Sequence, residues 1–238
     1  MDRVSFLLEA GETLALIGPS GCGKTTTLKL LNRLIEPDSG EVRLGGQEAH
    51  EVDAHDWRRR IGYVIQSGGL FPHFTVAENI AVTPKLLGWD AARITHKASA
   101  LLEMVGLPAA TFAARYPADL SGGQAQRVGL ARALAGEPDI VLMDEPFSAL
   151  DAMTKDALID DVARVRRELG FAAVIVTHDF SEALRFADRI AVMDKGEIVQ
   201  MGPSAELIAR PGNDTVARLL EAPKRTAAAV SAAFSEGG

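Results

Sequence analysis

The sequence predicts an α/β fold with a largely parallel sheet, an antiparallel β part and an inserted helical subdomain. Three observations carry that reading. Short apolar runs alternate with longer amphipathic segments, the pattern of strands covered by helices. A glycine-rich turn stands between one such run and the segment that follows it. The alternation breaks from about residue 74 to 137, where helical periodicity recurs with no strand-like run between the helices.

In chain order, "ETLALIG" (Glu12 to Gly18) is a buried strand that runs straight into the turn, and "TTTLKLLNRLI" (Thr25 to Ile35) is the helix after it. "RIGYVIQ" (Arg60 to Gln66) is the next strand. "ARITHKASALLEMVG" (Ala92 to Gly106) and "GGQAQRVGLARALAG" (Gly122 to Gly136) are helices of the insertion. "DIVLMDEP" (Asp139 to Pro146) and "AAVIVTHD" (Ala172 to Asp179) return to strand. "RIAVMDKGEIVQMG" (Arg189 to Gly202) is broken by Lys195-Gly196 into a hairpin, which supplies the antiparallel part. Residues 1–222 therefore read as one domain with the helical insertion at about 74–137. The tail, residues 223–238, has little to bury and is expected to be disordered.

Composition excludes several classes. The chain of 238 residues has room for one large α/β domain. Lys plus Arg number 25 against 32 Asp plus Glu, a net charge of −7, and such a surface does not attract nucleic acid. The longest uncharged apolar runs, such as "FAAVIV" (Phe171 to Val176), fall far short of the ~18 residues that cross a bilayer. Asp2, Arg3, Glu9 and Glu12 interrupt the N-terminal apolar residues, unlike the core of a signal peptide. Cys22 is the single cysteine, so no disulfide framework forms within the chain and the reading is cytosolic. "WRRR" (Trp57 to Arg60) resembles a nucleic-acid or lipid patch, but Glu48, Glu51, Asp53 and Asp56 nearby make it a solvated helix face.

"GPSGCGKT" (Gly18 to Thr25) matches G-x-x-x-x-G-K-[ST] in the strand-turn-helix context that the motif needs. Gly18, Gly21 and Gly23 let backbone N–H groups turn toward one anion, and the following helix adds the positive end of its dipole. Lys24 can then reach the β- and γ-phosphates, and the Thr25 hydroxyl can ligate Mg²⁺. "IVLMDE" ends an apolar strand in two carboxylates. Strand alternation is expected to turn Asp144 toward the metal and Glu145 toward an attacking water as general base. Gln66 after another strand can contact Mg²⁺ or water, and His178 at the end of "AAVIVTH" can donate to a γ-phosphate.

A second cradle, "LSGGQ" (Leu120 to Gln124), begins a helix of the insertion, so Ser121 and the amides of Gly122 and Gly123 make a helix N-terminal anion site. One γ-phosphate cannot occupy two distant cradles. A two-fold pair of chains resolves this, each Ser121 closing over the ATP held by the other chain's Lys24.

The P-loop, Gln66, "LSGGQAQRVGLARAL", "IVLMDEP", "SALD" and "VTHD" stand in the order of the ATP-binding-cassette ATPases, and the chain resembles that family over almost its whole length. The resemblance implies a P-loop NTPase (RecA-like) core that binds ATP and Mg²⁺. It implies nucleotide contacts at Gly18, Pro19, Ser20, Gly21, Cys22, Gly23, Lys24, Thr25 and Thr26, with Gln66 in the Q-loop. It further implies the signature at Ser121, Gly122, Gly123 and Gln124, and Walker B at Asp144. Catalytic Glu145, D-loop Asp151 and switch His178 complete the implied set, with ATP-driven closure of a head-to-tail dimer.

Long coiled coils, zinc modules and a second cassette, which mark other branches, do not interrupt the sequence. "SGGLFPHFTVAENIAV" after Gln66 places Leu70, Phe71, Phe74 and Val76 together; each alone reads equally as plain core, but as a set they resemble the groove in which importer cassettes receive a short helix from a membrane subunit. "IGYVIQSGGLFPHFTV" and "MDEPFSALDAMTKDALIDDV" resemble the branch that imports glycine betaine, choline and related osmoprotectants. That implies permease subunits, an indirect solute-binding protein and a peripheral place at the cytoplasmic face of the inner membrane. A free-standing cassette that switches a soluble partner is the second reading.

Family members stack an aromatic on adenine from a first strand upstream of the P-loop. Here "MDRVSFLLEAGETLALIGPSG" reads as beginning one strand late, and Phe6 in the strand "VSF" is expected to fill the core. Cys22 lies inside the P-loop, where alkylation is expected to block the site by bulk.

Overall fold

Runs that are apolar at every position suit strands buried on both faces, and parallel sheets bury both faces. The computed structural model describes residues 1, 3–66, 69–148, 150–221 and 223–225. Its main strands are β1 (Thr13–Ile17), β4 (Ile61–Val64), β5 (Ile140–Asp144), β6 (Ala172–Val176), β7 (Arg189–Asp194) and β8 (Glu197–Gly202). Between β1 and β4 lie the two-residue strands β2 (Arg43–Leu44) and β3 (Gln47–Glu48), which pair only with each other. The main sheet runs β4-β5-β6-β1-β7-β8, with β8 antiparallel to β7 and every other pairing parallel. Lys195 and Gly196, at φ +47° and +87°, make the β7–β8 turn at the predicted place. Positive φ at both central residues matches the twist of a two-residue hairpin.

Helices α1 (Lys24–Leu31), α2 (Ala54–Arg59), α3 (Val76–Leu86), α4 (Ala91–Met104), α5 (Ala109–Phe112), α6 (Gly122–Leu134), α7 (Ala152–Leu169), α8 (Phe180–Phe186) and α9 (Ser204–Ala209) lie among the described residues. Residues 214–221 and residues 223–225 are also helical. Alternate strand residues feed two cores. Ala15, Ile17, Val141, Met143, Ala173 and Ile175 face the cluster that holds α3, α4, α6 and α7, while Leu14, Leu16, Leu142, Val174 and Val176 face the one that holds Leu28 of α1 and Trp57 of α2.

The segment between the neighbouring strands β4 and β5 is helical in every regular element, α3 to α6. Thr75 and Ser121 start α3 and α6 with capping boxes closed by Glu78 and Gln124. The long helix α7 connects β5 to β6, and Arg127 of α6 pairs with its Asp161. Arg164 of α7 donates to the Met104 carbonyl at 2.8 Å. The helical segment is thereby tied to the sheet through α7.

Four expectations change. The helix after the glycine-rich turn stops at Leu31, because Arg33 takes φ +50° and the Leu34 amide turns back to the Lys29 carbonyl. "VSF" joins no ladder among the described residues, although Val4, Phe6 and Leu8 lie half-buried against the second core. "WRRR" is not a solvated face throughout. Trp57 is buried and donates to the Leu31 carbonyl at 2.9 Å, and Arg58 donates to the Asn32 and Arg33 carbonyls, closing the end of α1. Of the tail expected to be disordered, residues 223–225 are helical and 226–238 lie outside the described residues.

Candidate functional site

Parallel strands β4, β5, β6 and β1 end at one level, since Val176 lies opposite both Leu16 and Asp144 and Val64 lies opposite Met143. The residues just past those ends therefore meet, as they do at the carboxyl edge of open α/β sheets. At β1 the chain turns through Gly18, whose added Cβ would stand 2.1 Å from the Met193 carbonyl oxygen and 2.9 Å from the Cys22 sulfur. Only glycine fits there. Pro19, Ser20 and Gly21 form the exposed rim, Gly23 (φ +108°) precedes α1, and Thr26 is half-buried on its first turn.

Lys24 is buried, and its ammonium donates to the carbonyls of Gly18 (2.8 Å) and Pro19 (3.1 Å). It is folded back over the loop that it would serve. Cys22 departs from expectation, because its thiol points into the second core and is buried. Its sulfur also stands 3.8 Å from the Lys24 ammonium on the inner side of the loop, so an alkylating reagent needs this packing to open first.

At β5, the Thr25 hydroxyl donates to Asp144 at 3.1 Å. Burial pushes the Asp144 carboxyl above the usual range, the Thr25 hydrogen bond opposes that, and the neighbouring Glu145 charge adds to it. Burial also pushes the Tyr63 phenol up to about 12, with the Asp144 charge adding. A hydroxyl and a crowded carboxylate are hard oxygen donors, the set that suits Mg²⁺.

Glu145 lies beyond the strand, at φ +44°, with its amide donating to the Val176 carbonyl at 2.9 Å. A left-handed turn, rather than strand alternation, separates it from Asp144. Gln66 donates to the Glu145 carboxylate at 3.0 Å, and His178 Nδ1 stands 3.4 Å from the same oxygen. Ser148, which sequence reasoning missed, lies 3.4 Å from the Gln66 amide and donates to the Glu145 carbonyl at 3.0 Å. Gln66, Asp144, Glu145, His178, Lys24 and Thr25 thus share one edge.

The second set sits elsewhere. Ser121 and Gln124 close on each other, with the Ser121 amide 3.0 Å from the Gln124 side chain and the Gln124 amide 3.3 Å from the Ser121 hydroxyl. Gly122 is exposed, while Gly123 is buried against α7, where an added Cβ would meet Thr154 at 2.5 Å. Asp151 caps α7, and hydrogen bonds from Thr154 hold its carboxyl below the usual range. Gly123 is thus required by helix packing as well as by any anion.

The apolar set after Gln66 divides. Phe71 is exposed, Leu70 and Phe74 are half-buried, and Val76 is wholly buried as the first residue of α3, so Val76 belongs to the core and not to a surface groove. Beside Phe71 opens a cavity of about 310 Å³ lined also by Arg58, Arg59 and Arg132. Arg132 donates to the Gly69 carbonyl at 2.7 Å with its guanidinium 5.8 Å from the Phe71 ring centre.

Residues 1–148 match the family profile described as ABC transporter. The chain belongs to the ABC transporter family. This cassette is 48% identical over 216 residues to the osmoprotectant import ATP-binding protein OsmV of Salmonella typhimurium, covering 91% of the chain and 56% of that relative. It is 51% identical to the glycine betaine uptake system ATP-binding protein YehX of Escherichia coli, covering 91% and 70%. It is 49% identical to the glycine betaine/carnitine/choline transport ATP-binding protein OpuCA of Bacillus subtilis, covering 91% and 57%. The chain spans 56% of the length of the first of these relatives and 57% of the third. Among solved structures, the dimeric post-hydrolysis state of the cassette MJ0796 bound to ADP and Pi matches at TM-score 0.75 and 34% identity, over 84% of this chain and 88% of that one.

Proposed function

We propose that this cassette is the ATP-hydrolysing subunit of an importer for osmoprotectants of the glycine betaine or choline type. It works as a head-to-tail homodimer, peripheral on the cytoplasmic face of the inner membrane, beneath permease subunits that a solute-binding protein supplies. One observation carries the reading: the phosphate-facing groups fall into two separate sets, one at the sheet edge and one on the α6–α7 face. Two copies in two-fold array bring the sets together twice.

In this scheme Lys24 leaves the Gly18 and Pro19 carbonyls to bind the β- and γ-phosphates, with the backbone amides of residues 20–23 completing the cradle. Thr25, Asp144 and Gln66 would hold Mg²⁺, which when bound neutralises phosphate charge. Glu145 orients the attacking water and takes its proton, steadied by Gln66, and His178 donates to the γ-phosphate. The opposing Ser121, Gly122, Gly123 and Gln124 close over that phosphate from the front, and the opposing Asp151 lies beside it. Release of phosphate then frees the two chains to part.

The membrane partner docks at Phe71, Leu70 and Phe74, where exposed aromatic surface borders the arginine-lined cavity. The test is reconstitution with membrane subunits that co-purify with this chain. Glycine betaine or choline should stimulate ATPase activity, and Phe71→Glu should abolish uptake while nucleotide binding by the isolated chain stays normal. Uptake that persists in a folded Phe71→Glu assembly overturns the docking assignment.

A further inference from the structure

The first turn of α7 touches both sets of groups. On one side Thr154 and Leu150 pack under Gly123 and Gly122, so the Ser121 cradle is seated on this turn. On the other side Lys155 reaches into the β6–α8 turn. Its ammonium pairs with Asp179 at 2.8 Å and with Glu182 at 2.5 Å. Glu182 is 3% exposed and accepts a hydrogen bond from the Thr177 hydroxyl. The Asp179 amide donates to that same hydroxyl at 3.0 Å. Thr177 and Asp179 are the two residues that flank His178.

Lys155 therefore grips the His178 turn on both sides, directly at Asp179 and through Glu182 at Thr177. The His178 side chain itself is mostly exposed, and among the described residues its ion pair is with Glu145. Burial opposes charge on both Lys155 and Asp179, yet the bonds from Lys155 to Asp179 and Glu182, together with the backbone amides that donate to Asp179, outweigh it, leaving Lys155 raised and Asp179 lowered. The cluster is not sealed. A cavity of about 190 Å³ lies between α7 and α8, lined by Ala152, Ile159, Ser181 and Arg185 as well as the ionic groups, and leaves the turn room to shift.

We propose that Lys155 is a positioning residue: through Asp179 and Glu182 it ties the aim of His178, at a chain's own nucleotide, to the seat of Ser121, which faces the other chain's nucleotide. Closure of Ser121 on the opposing phosphate moves the first turn of α7, and the ion pairs pass that movement to His178. Each site would then sense occupancy of the other. The inference rests on the head-to-tail reading above.

Removing Lys155 alone strands the buried Glu182 charge and threatens folding, so the informative variant is Lys155→Met with Glu182→Gln, which removes both charges and keeps an acceptor for Thr177. Lys155→Arg is the conservative control. ATP binding by the isolated chain, kcat, KM, the Hill coefficient for ATP and circular dichroism are measured for each. The double variant should bind ATP within about twofold of the parent and keep KM, lose tenfold or more in kcat, and show a Hill coefficient near 1 where the parent exceeds it. Lys155→Arg should restore kcat to within about threefold. A folded double variant with parental kcat and Hill coefficient overturns the proposal, as does a Lys155→Arg protein as impaired as the double variant. Failure of the dimer reading is separately visible: the parent chain carrying Glu145→Gln would then stay monomeric with ATP.

Discussion

The β1–α1 turn and the β6–α8 turn lie on neighbouring strands and end at the same level, yet they are built from different materials. The first is made of backbone: Gly18 against the Met193 carbonyl, with Gly18, Gly21 and Gly23 all at positive φ. The second is made of side chains: Lys155, Asp179, Glu182 and Thr177. A backbone cradle keeps its shape whatever binds, since its geometry is fixed by φ and by van der Waals contact. An ionic clamp can be repartitioned by a small movement of α7. The contrast assigns holding to the first turn and switching to the second.

The difference is broken most severely at the chemistry between the two turns. Glu145→Gln should bind nucleotide normally and lose ~10²–10⁴-fold in kcat, the usual range for a general base. Single-turnover hydrolysis measures it, and a loss under tenfold would take the base role from Glu145.

Next comes the cradle itself. Gly18→Ala drives a Cβ into the Met193 carbonyl, which cannot yield as a flexible side chain would. Overpacking of this kind costs about 1–3 kcal/mol, or roughly 2–12 °C in Tm for a chain of this size, and nucleotide binding should be lost as well. Gly21→Ala, with nothing within 4 Å of its added Cβ, should cost less through its φ of +79° alone. Thermal melts that rank the two in the reverse order contradict the packing account.

Asp144→Asn should separate stability from function. Burial raises the Asp144 pKa, so the ionised form is disfavoured by folding, a cost present at pH above the folded pKa. Removing the charge should raise the Tm of the nucleotide-free chain by on the order of 1 °C while hydrolysis collapses. A lower Tm would mean that the Thr25 contact outweighs the burial.

The smallest effect concerns pH. The Asp179 pKa is lowered against the pull of burial by its bond to Lys155, so its stabilisation is present above the unfolded value of about 3.9 and fades as pH falls through the folded value. Between pH 6 and pH 3 the parent should therefore lose more Tm than Lys155→Met/Glu182→Gln, by on the order of 1 °C. Equal slopes would show that the clamp carries no charge-dependent strength.

How much could be read from sequence follows the same division. The P-loop, the strands that lead into Asp144 and His178, and the hairpin turn at Lys195 are legible because residues close in sequence create each of them. The meeting of Gln66, Glu145 and His178 is legible only as a constellation, since it depends on the register of three strands. Lys155 and Glu182 are illegible: each looks like ordinary surface charge, and 27 positions separate two groups that the α7–β6–α8 path brings to 2.5 Å. Val76, open in the sequence between core and groove, and Trp57, read as part of a solvated face, are undecidable for a related reason. An apolar or aromatic residue beside polar neighbours gives no sign of which face its helix turns inward until the partner helix is in place.

The central claim is that two separate sets of groups need two chains. Sedimentation velocity of the Glu145→Gln chain, with and without Mg-ATP, tests it most directly, with Ser121→Arg added in the same background. The account predicts a monomer without nucleotide, a dimer with Mg-ATP, and a return to monomer when Ser121→Arg blocks the second cradle. A Glu145→Gln chain that remains monomeric at high concentration with saturating Mg-ATP, or a Ser121→Arg chain that dimerises as readily, would contradict it.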